Sequence, residues 1–215
     1  MKKWYDAETG TVATGSQGAQ SFALWLGILP KEGRQKAADR LHDAVKAVGY
    51  RFKCGNLTAR YVLEMLSDYG YVDDAFRIMT REAYPSFGYM IQNGATTIWE
   101  RFELKKNSGM NSHNHPMYGA VGAWFYSRIA GLTPIADGWK QFAVSPKIPT
   151  DLLSAKAQLK TVRGDVCVQW FRRYGKLNIQ VTVPYGAECF YEYENDQKIL
   201  HHGFHHFSYE EQEGK

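Results

Sequence analysis

The sequence has few of the features that mark disulfide-rich, membrane-spanning or nucleic-acid-binding proteins. Its three cysteines, Cys54, Cys167 and Cys189, are odd in number and widely spaced, which fits neither a disulfide framework nor a CxxC metal site. No apolar run approaches the roughly 18 residues of a membrane span. No signal peptide is visible after the first six residues. Basic residues never exceed two in a row, so no phosphate-binding stripe is predicted.

These shortages lead to several expectations about compartment and partners. Free thiols are typical of a reducing compartment, which favours the cytoplasm. A signal on a preceding segment would change that, so the compartment is left open. We predict no cofactor, no metal, no nucleic-acid partner and no membrane partner.

Four histidines lie near the end of the sequence, at His201, His202, His205 and His206. Paired histidines can bind a metal, but no cysteine or carboxylate is spaced to complete a site here. A solvated cluster or a cluster on a strand edge is the better interpretation.

Aromatic residues are abundant, with 14 Tyr, 11 Phe and 6 Trp among 215 residues. Most of them are expected in a core, although aromatic rings also stack on the apolar faces of sugars. The net charge of +4 lies entirely within residues 1–133, and residues 134–215 are neutral.

The apolar pattern changes period along the chain, helical before about residue 133 and alternating after about residue 140. Helical stripes occur around 17–29, 37–49, 56–70, 72–79 and 117–130, with Asn56 as the expected cap of the third helix. Short connections between helices indicate successive helical hairpins. Periodicity alone does not distinguish a bundle, a solenoid and a closed α/α toroid.

The stretch 81–116 interrupts this helical pattern. It contains prolines, glycines and the run His113-Asn114-His115, yet it is rich in aromatic residues. Long irregular connections in compact domains are usually functional or disordered. Because of the aromatic residues, we expect an ordered loop that lines a site.

Apolar and polar residues alternate in three segments after residue 154. Val166, Val168 and Trp170 alternate in the first segment, a second follows over 177–183, and a third runs from Cys189 to Tyr193. Turn residues separate the three segments. They predict an antiparallel meander, either half of a β-sandwich or a sheet packed on helices.

Several motifs resemble those of bacterial α-L-rhamnosidases of glycoside hydrolase family 78. Residues 95–101, ATTIWER, match the family's ATTxWE, and 85–90, PSFGYM, resemble its PSWGYM. Residues 112–119, SHNHPMYG, are similar to SxNHxxxG, and 14–17, TGSQ, to a TxSQ that opens a barrel helix. Because the motifs occur in order over nearly the whole chain, the resemblance is specific.

The resemblance implies an α+β multidomain protein. Residues 1–135 would form the C-terminal part of an (α/α)6 barrel, as helical hairpins. Residues 136–215 would form a C-terminal antiparallel β-sandwich domain. Hairpins that normally meet barrel neighbours would expose apolar faces, so we expect self-association through them.

The resemblance also implies a chemistry and a set of site residues. Inverting glycoside hydrolases use two carboxylates, and Glu100 matches the family's general base, whereas the acid lies upstream of the matched region. His115 matches a histidine that hydrogen-bonds rhamnose, and Trp99 would either stack on the sugar or orient Glu100. We expect Trp99 and Phe102 to shield Glu100 and Arg101 to hold its charge. Glu103 is the competing carboxylate.

The expected function is therefore part of an inverting hydrolase that releases terminal α-L-rhamnose from rhamnose-containing glycans, inactive when isolated. Two alternatives stay open at this point. One is a non-catalytic carbohydrate-binding remnant, and the other is a different α/α-toroid glycosidase or lyase. Without the resemblance, Glu100 would more often be a structural acid paired with Arg101, and His115 a histidine that packs the loop.

Overall fold

The computed structural model describes residues 4–104 and 112–211, which belong to two compact units, Met1–Trp124 and Phe125–Lys215. The first unit is mainly helical and the second is mainly β-structure, as the change of period predicts. Of the helices described, none combines the length and the apolar composition that crossing a bilayer requires. The boundary between residues 135 and 136 stays a prediction.

The first unit begins with a small hairpin, and packed helices follow it. Its strands are β1 (Tyr5–Asp6) and β2 (Thr11–Val12). Its α-helices are α1 (Gln17–Trp25), α2 (Arg34–Lys46), α3 (Asn56–Asp68), α4 (Val72–Met79), α5 (Phe87–Gln92) and α6 (Gly122–Trp124). Two 3₁₀ turns, Lys31–Gly33 and Tyr118–Val121, complete the unit. Helix α1 packs against α2 and α3, and α4 packs against α3.

The start of α1 is fixed by residues of the TGSQ motif. Ser16 is the N-cap, and its hydroxyl accepts a hydrogen bond from the Ala19 N–H. The amide of Gln17, which is 2% exposed, donates to the Arg51 carbonyl at 3.0 Å and accepts from the Lys53 N–H at 2.8 Å. This buried amide therefore fastens the α2–α3 connection to the start of α1.

Helix α3 buries the predicted stripe, with Val62 and Leu66 fully buried. The predicted cap was wrong by one residue. Gly55 is the N-cap without a side-chain hydrogen bond, and Asn56 is the first helical residue. At the other end, Ser67 accepts a hydrogen bond of 2.8 Å from the Trp124 indole N–H, which satisfies a buried donor.

Two other helix predictions were wrong in detail. The stretch predicted as one helix over 117–130 consists of a 3₁₀ turn, α6 and a π-helical turn, Phe125–Ile129. Helix α5 lies inside the stretch predicted to be irregular, where the Ser86 hydroxyl caps it by accepting from the Tyr89 N–H at 2.9 Å. Six residues are too few for a periodic stripe to reveal a helix.

The second unit contains two four-stranded sheets. Their strands are β3 (Leu132–Pro134), β4 (Gln141–Val144), β5 (Ser154–Thr161), β6 (Gly164–Arg173), β7 (Lys176–Val183), β8 (Glu188–Tyr193), β9 (Asp196–Leu200) and β10 (Gly203–Glu210). A 3₁₀ turn, Asp137–Trp139, precedes β4. The strand orders are β10-β7-β6-β5 and β3-β4-β8-β9.

The two sheets face each other across an apolar core. The predicted inward residues of β6 and β7 are buried, and Trp170 donates its indole N–H to the Ile129 carbonyl at 2.7 Å. The ring of Tyr191 on β8 stacks on Phe207 of β10, with 4.2 Å between ring centres. These cross-sheet contacts confirm a sandwich.

The third predicted strand does not pair with the second, contrary to the meander expectation. Strand β10 pairs with β7 along its whole length, from Gly203 opposite Val183 to Glu210 opposite Lys176, and so occupies that edge. Strand β8 crosses to the other sheet and runs parallel to β4. Alternation sets which side chains point inward, but it does not choose the partner strand.

Strand β10 also holds two of the four histidines, on a sheet edge. The His205 ring nitrogen Nε2 lies 2.7 Å from the His201 carbonyl, and His206 Nε2 lies 3.0 Å from the Asn178 side-chain oxygen. Among residues 4–104 and 112–211, no group of three or more His, Cys, Asp and Glu side chains is arranged to hold a metal. All three cysteines are free thiols.

The first unit exposes apolar side chains on α1 and α3. Trp25 is 41% exposed and Leu57 58%, while the Trp25 ring lies 4.4 Å from that of Tyr61. Self-association through such faces stays a prediction.

Replacing Gly131 by alanine is expected to destabilise the second unit by about 3 kcal/mol, the sum of a left-handed backbone cost and a steric cost. Gly131 has φ +75°, and an added Cβ would lie 2.2 Å from the Pro146 nitrogen. Gly175 is the matched control, since its φ is +70° but its Cβ would meet nothing within 4 Å. Gly175→Ala should therefore cost only about 1 kcal/mol in urea unfolding. Equal losses from the two variants would contradict the steric argument.

Candidate active site

The predicted site residues lie on two short segments, 97–100 and 112–115, which backbone hydrogen bonds join in the connection between α5 and the 3₁₀ turn at Tyr118. The Glu100 N–H donates to the Ser112 carbonyl at 2.9 Å, and the His115 N–H donates to the Ile98 carbonyl at 2.8 Å. The Thr97 hydroxyl also donates to the His113 carbonyl. Backbone pairing of this kind brings the ATTIWE and SHNH motifs together.

Glu100 is half-buried, and the facing segment holds its carboxylate. Its Oε2 accepts a hydrogen bond of 3.0 Å from the Ser112 N–H. Arg101, expected to hold the charge of this carboxylate, is exposed. In the described parts of the chain, no ion pair joins Glu100 to Arg101. The donor to Glu100 is therefore a neutral backbone N–H and not a cation, so this hydrogen bond does not neutralise the charge of the carboxylate.

Trp99 is packed into the protein rather than displayed at its surface. It is only 4% exposed, and its ring centre lies 5.1 Å from that of His113. His113 occupies a variable position of the SxNHxxxG motif. The contact joins the two segments through side chains as well as through backbone atoms.

His115 follows on the second segment and is half-buried. The Met117 N–H approaches its Nδ1 at 3.4 Å. With Nδ1 as the acceptor, the proton of the neutral ring belongs on Nε2, which makes Nε2 a donor.

Four aromatic rings, those of Phe52, Phe87, Phe102 and Tyr118, pack together and form what we call the aromatic bed of the loop. Phe102, 6% exposed, stacks on Phe52 with 5.8 Å between ring centres, and lies 4.5 Å from Tyr118. Phe87, from the PSFGYM motif, packs edge-on against Phe102 at 5.5 Å. Because Phe52 belongs to the α2–α3 connection that Gln17 fastens, the bed ties the loop to the helical frame.

An open pocket of about 370 Å³ lies beside this bed, and Glu103 rather than Glu100 lines it. Its lining combines aromatic and charged side chains with a cysteine and a proline, from Phe52, Lys53, Cys54, Tyr84, Pro85, Arg101, Phe102, Glu103 and Tyr118. Burial first, and then the nearby Glu103 carboxylate, raise the pKa of Tyr84. Burial raises the pKa of the Cys54 thiol to about 11 and also raises that of Tyr118, so both stay protonated at neutral pH.

The sequence predicts three site residues, which stay a prediction, but it does not predict their surroundings. The pairing of segments 97–100 and 112–115 involves only backbone atoms, and the pocket joins residues far apart in sequence. The many aromatic residues of 81–116 were the one feature of the sequence that could have predicted the aromatic bed. Phe87 and Phe102, from the described part of this stretch, pack in that bed, and the expectation that the stretch lines a site stays a prediction.

Two families match the chain in succession. Residues 1–129 match the bacterial alpha-L-rhamnosidase 6 hairpin glycosidase domain, and residues 131–191 match the bacterial alpha-L-rhamnosidase C-terminal domain. An α-L-rhamnosidase of Streptomyces avermitilis is 33% identical over 208 residues, which are 93% of this chain and 20% of that protein. The chain thus spans about one fifth of the length of the curated relatives it matches.

Solved structures agree. The crystal structure of the Streptomyces avermitilis α-L-rhamnosidase complexed with L-rhamnose matches with a TM-score of 0.88 and 28% identity, over 97% of this chain and 23% of that one. The α-L-rhamnosidase from Dictyoglumus thermophilum matches with a TM-score of 0.83 and 31% identity, over 91% and 25% of the respective chains. With the first family covering more than half of its residues, the chain belongs to the bacterial α-L-rhamnosidases with a six-hairpin glycosidase domain.

Proposed function

We propose that this chain supplies the water-activating side of the active site in an enzyme that hydrolyses terminal α-L-rhamnosides with inversion. Glu100 is the general base. The observation that carries the proposal is the pairing of the two segments, which holds the Glu100 carboxylate and the His115 ring on adjacent segments of one loop. The names of the relatives support rhamnose-bearing carbohydrate as the substrate class.

The chemistry assigned to Glu100 is removal of a proton from the attacking water. A base must be ionised and aimed, and the Ser112 N–H holds one carboxylate oxygen in place. In an inverting enzyme the second carboxylate lies roughly 6.5–9.5 Å away, which leaves room for that water. We place this acid in a part of the enzyme that the chain does not span, as the resemblance implies.

His115 and Trp99 have separate roles in the proposal. The Nε2–H of His115 donates to a rhamnose hydroxyl, because its Nδ1 is engaged by the Met117 N–H. The low exposure of Trp99 supports a positioning role: its packing against His113 keeps the two segments aligned. Stacking of Trp99 on the sugar would need a larger exposed ring face.

The second candidate is a non-catalytic carbohydrate-binding protein. It is favoured by the short span of this chain, about one fifth of its curated relatives. Both candidates keep His115 in contact with sugar, so only chemistry separates them.

A chimera tests the proposal. The matching region of the Streptomyces avermitilis enzyme, with which this chain shares a TM-score of 0.88, is replaced by residues 1–215. We expect the chimera to hydrolyse an aryl α-L-rhamnoside and to release β-L-rhamnose as the first-formed anomer in proton NMR. The unmodified host enzyme, assayed in parallel, is the control.

Either of two results would count against the proposal. A folded but inactive chimera would favour the non-catalytic candidate. Initial release of α-L-rhamnose would show retention, and Glu100 would then not act as the base of an inverting reaction.

A further inference from the structure

The outer face of the sheet β3-β4-β8-β9 carries a groove that the proposed hydrolysis does not use. It belongs wholly to the second unit and has a volume of about 380 Å³. Its side chains come from three adjacent strands, and those that carry the argument are Ala143, Phe190, Glu192, Gln197 and Ile199.

The middle of the groove is an apolar row set by strand register. Phe190 lies opposite Ala143 on β4 and opposite Ile199 on β9. Phe190 is 37% exposed and Ile199 57% exposed. Three neighbouring strands span roughly 10 Å, so the row forms a narrow apolar platform.

A carboxylate–amide pair lies on each side of this row. On one side, Gln141 donates its side-chain N–H to Glu188 at 3.1 Å. On the other, Gln197 donates to Glu192 at 3.0 Å. Each pair occupies positions two residues from the apolar row along its strands, hence on the same face of the sheet.

These pairs are suited to bind hydroxyl groups. Within each pair, the hydrogen bond between amide and carboxylate fixes the orientation of both groups. Each carboxylate can still accept further hydrogen bonds, and each amide has a second N–H to donate. Two carboxylates flank the row, and the Lys198 ammonium that also lines the groove is paired with Asp196, so anions such as phosphate are disfavoured. A protein partner would need an interface of roughly 1,000 Å² or more, whereas this apolar row consists of three side chains.

We propose that this groove is a saccharide-binding site, separate from the Glu100 loop, which takes a neutral oligosaccharide. The apolar CH face of a pyranose ring lies on Phe190 and Ile199, and its hydroxyl groups bond to the Glu188 and Glu192 pairs. The ligand combines an apolar face with a polar rim, as the groove does. The site binds without bond cleavage and would hold a glycan near the enzyme.

The test measures binding of a neutral hexasaccharide of α-L-rhamnose to the 215-residue chain by calorimetry. Phe190→Ala should weaken binding about tenfold, the effect of losing an aromatic platform. Phe204→Ala is the matched control, because Phe204 is 64% exposed on β10 of the other sheet. That variant should bind as the unmodified chain does.

A second variant keeps the test valid if Phe190→Ala fails to fold. Gln197→Ala removes one polar pair at an exposed position and should weaken binding several-fold, with an unchanged circular dichroism spectrum. The inference is overturned if the hexasaccharide does not bind, or if Phe190→Ala and Gln197→Ala both leave binding unchanged. It is also overturned if His115→Ala abolishes binding, since the ligand would then occupy the loop site. None of these readouts depends on turnover, so failure of the groove and failure of the proposed hydrolysis are distinguishable.

Discussion

Replacing Glu100 by glutamine in the chimera is expected to lower kcat by about 10³-fold, within the range that general bases contribute. The amide keeps the size of the side chain and can still accept the Ser112 N–H, so the loop should keep its geometry. It cannot accept the proton of the attacking water. Since the loss concerns the transition state, KM should change little. Steady-state rates on an aryl α-L-rhamnoside measure both constants.

Glu103→Gln is the matched control for this prediction. It makes the same chemical change three residues along, in the pocket beside Tyr84. Turnover should stay close to that of the unmodified chimera. If Glu103→Gln caused the large loss while Glu100→Gln was harmless, the two carboxylates would have to exchange roles, and the pocket would become the reaction site.

Azide separates a base from a merely structural acid. Azide is a nucleophile that needs no deprotonation, so it should restore part of the turnover of Glu100→Gln and yield a β-configured rhamnosyl azide. A variant that had lost only loop geometry would gain nothing from azide. Absence of rescue together with altered KM would point to a structural role for Glu100.

For the candidate site, the sequence supplies residue identities alone, and their roles stay a prediction. The family motifs picked out Glu100 and His115, but their alignment depends on hydrogen bonds between backbone atoms, which any pair of residues can make. The support from Phe52 joins residues 50 positions apart in sequence through a ring stack. No local pattern carries that information, because the contact is set by tertiary packing.

For the fold, too, local patterns could be predicted from the sequence and tertiary pairing could not. Stripes of apolar residues correctly placed α1 to α4 along the chain. They did not give every buried face, because α1 buries Gln17, Gln20 and Ser21 while Leu26 is 49% exposed. Helix α5 was missed because a cap at Ser86 and six residues give too short a pattern. The alternation of apolar residues correctly predicted that β8 is a strand, but the predicted pairing of β8 with β7 was wrong. Strand β10, which the sequence analysis did not predict, pairs with that edge of β7, and β8 pairs with β4.

The isolated 215-residue chain is expected to hydrolyse an aryl α-L-rhamnoside at least about 10⁴-fold more slowly than the chimera. This expectation rests on the proposed function. Protonation of the leaving group needs a second carboxylate across the anomeric carbon, and the proposal places it outside this chain. Most sugar contacts are also assigned there, so orientation would be lost as well as acid catalysis.

The comparison uses the same 215 residues in both settings, so the variable is the rest of the enzyme, with its acid and its sugar contacts. Circular dichroism of the isolated chain, and urea unfolding of its second unit, establish that it is folded when assayed. Adding the rest of the Streptomyces avermitilis enzyme as a separate chain should restore part of the activity if the pieces associate through the apolar faces of α1 and α3. Strong turnover by the isolated chain would mean that its own carboxylates provide both acid and base. In that case Glu103, which lines the pocket next to the loop, would be the first residue to test as the acid.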